Sequence, residues 1–198
     1  MAFPGASMAA LIRRMQHRYG WWCQRDLLPR IDLVVLDVDG VLTDGGLWHG
    51  PEGELIKRFD VRDGMGIKLL LQAGLEVVFL SGGRGGATNV RAQQLGVRHC
   101  LVGVKDKPQA LRGLYDQLGR GAETTLFVGD DLNDLAVLGQ VGLLVATADA
   151  TPPLRRQADA VLLRRGGAGA VRELAERLLR ARGLWQDLCC QGWRDTND

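Results

Sequence analysis

Six short apolar runs recur from residue 31 onward, the stronger ones ending in small or acidic residues. They are Ile31 to Leu36, Leu75 to Leu80, His99 to Val102, Thr124 to Val128, Gly142 to Ala146 and Ala160 to Leu163. Runs this short and this uniformly apolar predict strands covered on both faces, as in a parallel sheet. Between them lie segments with helical spacing. Met65 to Gln72 puts Ile67, Leu70 and Leu71 on one face, and Pro108 to Leu118 does the same with Leu111, Leu114 and Leu118. Pro108 suits a first helical turn. A last helix is predicted from about Ala170 to Arg182, with Val171, Leu174, Ala175, Leu178 and Leu179 as its core stripe and Gly183 as its stop. Strand and helix in alternation predict an α/β fold, a doubly wound and mostly parallel sheet with helices on both faces.

Three segments lie outside this alternation. Gly46 to Phe59 reads as an inserted hairpin, with Leu47 and Trp48 before a turn at Gly50-Pro51-Glu52-Gly53 and Leu55, Ile56 and Phe59 after it. Residues 1–30 read as an N-terminal extension with an amphipathic helix over 8–22, ending near Gly20, whose Trp21 and Trp22 are expected to pack on the core. Residues 184–198 read as a polar, aperiodic, loosely ordered tail.

Composition narrows the class. With 46% hydrophobic and 24% charged residues the chain can bury a core, so disorder is excluded as its main theme. A net charge of +2 and 6% aromatics argue against a dedicated nucleic-acid binder. Cys23, Cys100, Cys189 and Cys190 form no CxxC pair and have no histidine at zinc-ligand spacing, which fits a reduced, cytoplasmic setting. Arg13, Arg14, His17 and Arg18 interrupt any signal-like apolar stretch, and no run is long enough to span a membrane.

In open parallel sheets ligands gather at the carboxyl ends of the strands. Here the first strand ends in Asp37-Val38-Asp39-Gly40-Val41-Leu42-Thr43-Asp44, the second in Ser81-Gly82-Gly83, and the fourth in Gly129-Asp130-Asp131-Leu132-Asn133-Asp134, with Lys107 preceding a helix between the last two. One such aspartate alone would be read as a helix cap or turn residue. Caps do not require clustering at strand ends, and carboxylates this dense repel one another unless a cation joins them. All-oxygen coordination points to a hard divalent ion, magnesium first. Magnesium in turn implies a phosphorylated ligand, for whose oxygens Ser81 offers a hydroxyl and Lys107 a point charge.

These motifs resemble the haloacid dehalogenase phosphatase superfamily: DVDGVLTDGG, a serine closing the second strand, a lysine before the next helix, and GDDLND. FDVRDGMGIKLL, GVKDK, VATADATPPL and RRGGAGAVRE extend the likeness over about residues 31 to 182. They are similar to the small cap-less subgroup of sugar-acid phosphatases that includes the 3-deoxy-D-manno-octulosonate 8-phosphate phosphatases. The resemblance implies a Rossmann-like phosphatase domain over 31–183, with the 46–59 hairpin as a flap and no cap domain. Asp37 would be the nucleophile and Asp39 the acid–base. Asp37, Asp130 and the main-chain carbonyl of Asp39 would hold Mg2+, with Asp131 and Asp134 behind them. Gly40, Ser81, Gly82 and Lys107 would meet the phosphoryl group, and Arg62 and Arg84 the substrate.

The implied activity is hydrolysis of a sugar-acid phosphate monoester, 3-deoxy-D-manno-octulosonate 8-phosphate first, in lipopolysaccharide biosynthesis. The implied assembly is a homotetramer in which a neighbour's C-terminal turn reaches the site. Alternatives are a nine-carbon, sialic-acid-type 9-phosphate as substrate, or a non-catalytic regulatory module of the same fold. Two departures concern cations. Gly83 and Ala168 stand where the subgroup usually carries arginine, and Arg84, Arg62, Arg164 or Arg165 are the candidates to compensate.

Overall fold

The computed structural model describes residues 19–52 and 55–194. One sheet has six parallel strands in the order β5-β4-β1-β6-β7-β8: β1 (Leu33–Leu36), β4 (Glu76–Leu80), β5 (His99–Leu101), β6 (Thr125–Gly129), β7 (Leu143–Ala146) and β8 (Ala160–Val161). A separate antiparallel pair, β2 (Trp48–His49) and β3 (Leu55–Ile56), follows β1 directly. All six expected strands are present, five of them shortened by one or two residues at an end and the fourth shifted by one to Thr125–Gly129, and the hairpin is where the glycines place it. Part of its turn, Gly53 and Glu54, lies outside the described residues, as does most of the 8–22 helix.

Every residue of β1 is buried, and its alternation divides the core in two. Val34 and Leu36 join Ile67, Leu70, Leu174 and Leu178, beneath α1 (Val61–Gln72) and α5 (Ala170–Ala181). Leu33 and Val35 join Leu111, Leu114 and Phe127 on the other face, beneath α3 (Lys107–Leu118). Strand order reverses its direction of winding between β1 and β6. That crevice is where a doubly wound sheet opens for a ligand.

Several local expectations are corrected. α1 begins at Val61 rather than Met65, because Asp60 caps it by accepting from the Arg62 N–H at 2.8 Å. α2 (Ala87–Leu95) and α4 (Pro152–Gln157) carry too little apolar periodicity to be foreseen. The tail is not irregular throughout: α6 (Trp185–Gln191) is helical, with Arg172 and Arg180 stacked on the Trp185 ring. Residues 19–23 are helical, so that helix runs past Gly20. Trp21 is buried and donates to the Val161 carbonyl at 3.0 Å, whereas Trp22 is exposed beneath Arg25, where cation and ring shield each other without a core.

Candidate active site

Parallel pairing of β1 with β6 sets Leu36 beside Val128, and the Asp37 N–H donates to the Val128 carbonyl at 3.0 Å. The Asp37 side chain therefore leaves the sheet at the crevice, level with the start of the GDDLND loop. After it the chain turns sharply. The N–H groups of Val41, Leu42 and Thr43 all donate to the Val38 carbonyl, and Thr43 Oγ1 accepts from Gly40 and Gly45 at 3.3 and 3.2 Å. Gly40 has φ +89°, and a side chain there would run into the Asp130 carboxylate.

Lys107 is the buried hub of the cluster. Its Nζ donates to Asp37 Oδ1 at 2.8 Å and to Asp134 Oδ1 at 2.5 Å. Asp134 Oδ2 in turn accepts from the Asp130 and Asp131 N–H groups at 2.8 and 3.2 Å. Asp134 is thus wholly buried, with one carboxylate oxygen on Lys107 and the other bracing the loop. Asp131 is exposed, and its carboxylate caps its own helical turn, accepting from the Leu132 N–H at 2.7 Å. The Asp130 carbonyl accepts from the Thr151 N–H at 2.7 Å, which anchors the loop from behind.

Carboxylate oxygens of Asp37, Asp130 and Asp134 lie within 4.8 Å of one another. Burial, together with the charges of Asp37, Asp134 and Asp131, pushes Asp130 up to about 8. Burial likewise raises Asp37 to about 6, with Lys107 opposing the rise and Asp134 adding to it. Burial alone would lower Lys107, yet the two aspartates it bridges leave it above its ordinary value. Carboxylates that resist ionising in a dry cluster become favourable beside a divalent cation, so the donor set fits magnesium.

Asp39 points elsewhere. Its carboxylate pairs with Lys57 Nζ, at 2.7 Å from Oδ1 and 2.9 Å from Oδ2. Lys57 follows β3 directly and is buried; sequence reasoning missed it. The signal was there, since Leu55, Lys57 and Phe59 alternate along an extended segment and so share a face. Ser81 is buried, and its Oγ accepts from the Gly83 N–H at 3.0 Å. A Cβ on Gly83 would stand 2.8 Å from Asp39 Oδ2 and 3.3 Å from Ser81 Oγ, so glycine here keeps open the space between them. Gly82 lies beside the Val104 carbonyl.

The expected arginines are further out. Arg62 is spent on Asp60, with two side-chain hydrogen bonds of 3.0 and 2.8 Å that hold Asp60 down to about 2. Arg84 and Arg164 are exposed, and Arg165 pairs with Asp149. Arg58, not singled out from the sequence, donates to the Gly167 carbonyl at 3.3 Å, beside Ala168.

The Gly-rich turn from Gly166 to Gly169 packs on its own domain. Side chains at Gly166 or Gly167 would collide with the main chain of Gly40, Thr43 and Asp44. Asp63, buried in α1, accepts from the Gly169 and Arg172 N–H groups at 3.1 and 2.9 Å. The VRDG and GGAGAVRE motifs are thus two halves of one joint.

The chain matches the haloacid dehalogenase-like hydrolase family over residues 102–173. It is 44% identical over 153 residues to the 3-deoxy-D-manno-octulosonate 8-phosphate phosphatase of Escherichia coli K12, covering 77% of this chain and 81% of that protein. The Haemophilus influenzae enzyme of that name is 42% identical over 156 residues, 79% and 87% of the two chains. Among solved structures, the Moraxella catarrhalis phosphatase, in complex with magnesium, phosphate and a 3-deoxy-D-manno-octulosonate (KDO) molecule, superimposes with a TM-score of 0.82. It is 32% identical, over 85% of this chain and 97% of that one. The Yersinia pestis phosphatase gives a TM-score of 0.80 at 40% identity, over 82% and 88%. The chain belongs to the haloacid dehalogenase-like hydrolases, in the family of the 3-deoxy-D-manno-octulosonate 8-phosphate phosphatases.

Proposed function

We propose that the protein is a magnesium-dependent phosphatase that hydrolyses 3-deoxy-D-manno-octulosonate 8-phosphate to the free sugar acid and inorganic phosphate. The observation that carries the reading is the buried Asp37–Lys107–Asp134 chain at the β1–β6 crevice, with Asp130 beside it, in a chain 44% identical to such an enzyme.

Asp37 attacks phosphorus through a carboxylate oxygen, forming an aspartyl phosphate as the bond from phosphorus to the sugar oxygen breaks. Asp39 gives its proton to that departing oxygen. It then takes a proton from the water that attacks the aspartyl phosphate, which restores Asp37 and releases phosphate. Lys107 keeps Asp37 ionised and aimed, and lies where phosphoryl charge develops. Ser81 and the backbone around Gly40 and Gly82 receive the remaining phosphoryl oxygens. Asp37, Asp130 and the Asp39 carbonyl would hold magnesium, which would supply neutralising charge to the transferring group.

The hairpin exposes Leu47, Trp48 and Ile56 beside the site, apolar surface that a two-stranded ribbon in water would bury against other copies. A cytoplasmic homotetramer serving lipopolysaccharide biosynthesis is the corresponding biological reading. The test is phosphate release with magnesium across a panel of sugar phosphates. The eight-carbon 8-phosphate should give the highest kcat/KM. A clear preference for a nine-carbon 9-phosphate would move the substrate assignment, and no release from any ester would overturn the reading.

A further inference from the structure

Among the described residues Lys57 is one of two buried lysines that grip an aspartate beyond a strand end, and the mechanism above leaves it without work. Its side chain is 1% exposed, while the Asp39 carboxylate it holds keeps 31%. Both Asp39 oxygens lie within 3 Å of Nζ, and the third neighbour is Thr88 Oγ1 at 3.4 Å, on the buried face of α2. Burying an ammonium carries a desolvation cost that a single ion pair seldom recovers, so such pairs are poor stabilising devices. What this one does supply is direction. It grips one side of a short carboxylate on a tight loop and leaves the group open on the other.

The surroundings are shaped to the pair. The nearest point on Gly83 at which a side chain would begin lies 2.8 Å from Asp39 Oδ2 and 3.6 Å from Lys57 Nζ, so residue 83 crowds neither group only because it is glycine. Lys57 also sits one residue beyond β3, at the root of the hairpin, and is flanked by Leu55 and Phe59 on the same face. The position of the hairpin and the orientation of Asp39 are therefore joined through one side chain.

We propose that Lys57 is a positioning residue for the acid–base step, orienting the Asp39 carboxyl toward the leaving sugar oxygen and tying that orientation to the seating of the hairpin. The inference rests on Asp39 as the group whose proton passes to the bridging oxygen as the phosphorus–oxygen bond breaks. A sugar alcohol needs that proton to leave; a nitrophenolate does not.

The experiment compares the intact protein with Lys57→Met, Lys57→Gln and Asp39→Asn on two substrates, 3-deoxy-D-manno-octulosonate 8-phosphate and p-nitrophenyl phosphate, with magnesium. Lys57→Met should lower kcat on the sugar ester by about 10- to 100-fold, part of what a positioned acid contributes, with KM within about twofold. On the nitrophenyl ester the pre-steady-state burst of nitrophenolate, which forms the aspartyl phosphate without needing the acid, should stay within about threefold in rate. Lys57→Gln, which keeps a hydrogen bond to Asp39, should fall between Lys57→Met and wild type, and it carries the comparison if the methionine variant does not fold. Asp39→Asn should show the same leaving-group pattern more severely. An equal loss in sugar-ester turnover and in the nitrophenolate burst in the Lys57 variants would mean a merely structural lysine, and no change in either would mean an idle one; either overturns the proposal. If Asp39→Asn itself shows no leaving-group dependence, the acid–base reading fails first, and the role of Lys57 with it.

Discussion

The Lys107 ammonium lies 2.8 Å from Asp37 Oδ1, and the two side chains are 4% and 6% exposed. So close a buried contact joins Lys107 to the chemistry of the proposed nucleophile, beside its proposed role as a phosphate contact. Lys107→Met should lower phosphate release by at least about 100-fold, the scale of losing one preorganised cation at a developing charge. Denaturant titration of the chelated variant should also show a loss of about 3–5 kcal/mol, because two carboxylates are left without their buried partner.

Asp37→Asn should abolish phosphate release with the fold retained, since the amide matches the carboxylate in size and cannot attack phosphorus. Phosphate release and circular dichroism on the same preparation, with deamidation excluded by mass spectrometry, check this. Wild-type turnover would end the covalent mechanism.

Metal and pH should be linked through Asp130 and Asp37. Both have folded-state values, about 8 and about 6, above the 3.8 of an unperturbed aspartate. In metal-free protein the folded state thus holds protons that the unfolded state has lost, and stability falls as pH rises from about 4 to 8. Magnesium requires the ionised carboxylates, so its affinity and its stabilising effect grow over the same window. Melting curves should show Tm of the chelated protein declining with pH, and the gap opened by magnesium widening from pH 5 to 8. A gap that is independent of pH would contradict this link.

Trp48 is 70% exposed on the hairpin. If copies of the chain bury it against one another, Trp48→Asp should dissociate the assembly in sedimentation and reduce kcat/KM on the sugar ester more than on p-nitrophenyl phosphate. A wild-type protein that sediments as a fully active monomer would defeat the tetramer.

Asp63→Ala removes the acceptor for the Gly169 and Arg172 N–H groups at the start of α5. A lost cap of this kind costs about 1–2 kcal/mol, and for a domain of this size Tm should drop by roughly 2–4 °C for each of those kilocalories. Calorimetry of the magnesium-loaded protein measures it.

What could be read from the chain and what could not divide along physical lines. The six strands were legible because burial on both faces leaves no room for polar residues, as in the run Leu33 to Leu36. Asp37, Asp39 and Asp130 were legible because they end such runs. The start of α1 was hidden by Gly64 and Gly66, poor helix formers by propensity. Gly66 is nevertheless required, because a Cβ there would stand 2.9 Å from the Arg172 Cα on α5. A contact more than a hundred residues away outweighs the local preference. Lys57 was overlooked because an ammonium in a hairpin reads as solvated; the alternation of Leu55, Lys57 and Phe59 turns it inward, and the tertiary position of Asp39 gives it a partner there.

The fit of Gly166 and Gly167 against the loop from Gly40 to Asp44 also has a meaning for the order of synthesis. Asp37, Lys107 and Asp130 all leave the ribosome well before residue 166, yet the wall behind the turn that follows Asp37 is built by the last quarter of the chain. The Gly167 N–H donates to the Val41 carbonyl at 2.9 Å, and α5 docks on α1 just beyond it. A nascent chain therefore holds Asp37, Asp39 and Asp130 in an unfinished frame. The frame around the Asp37 turn closes only when α5 seats on α1.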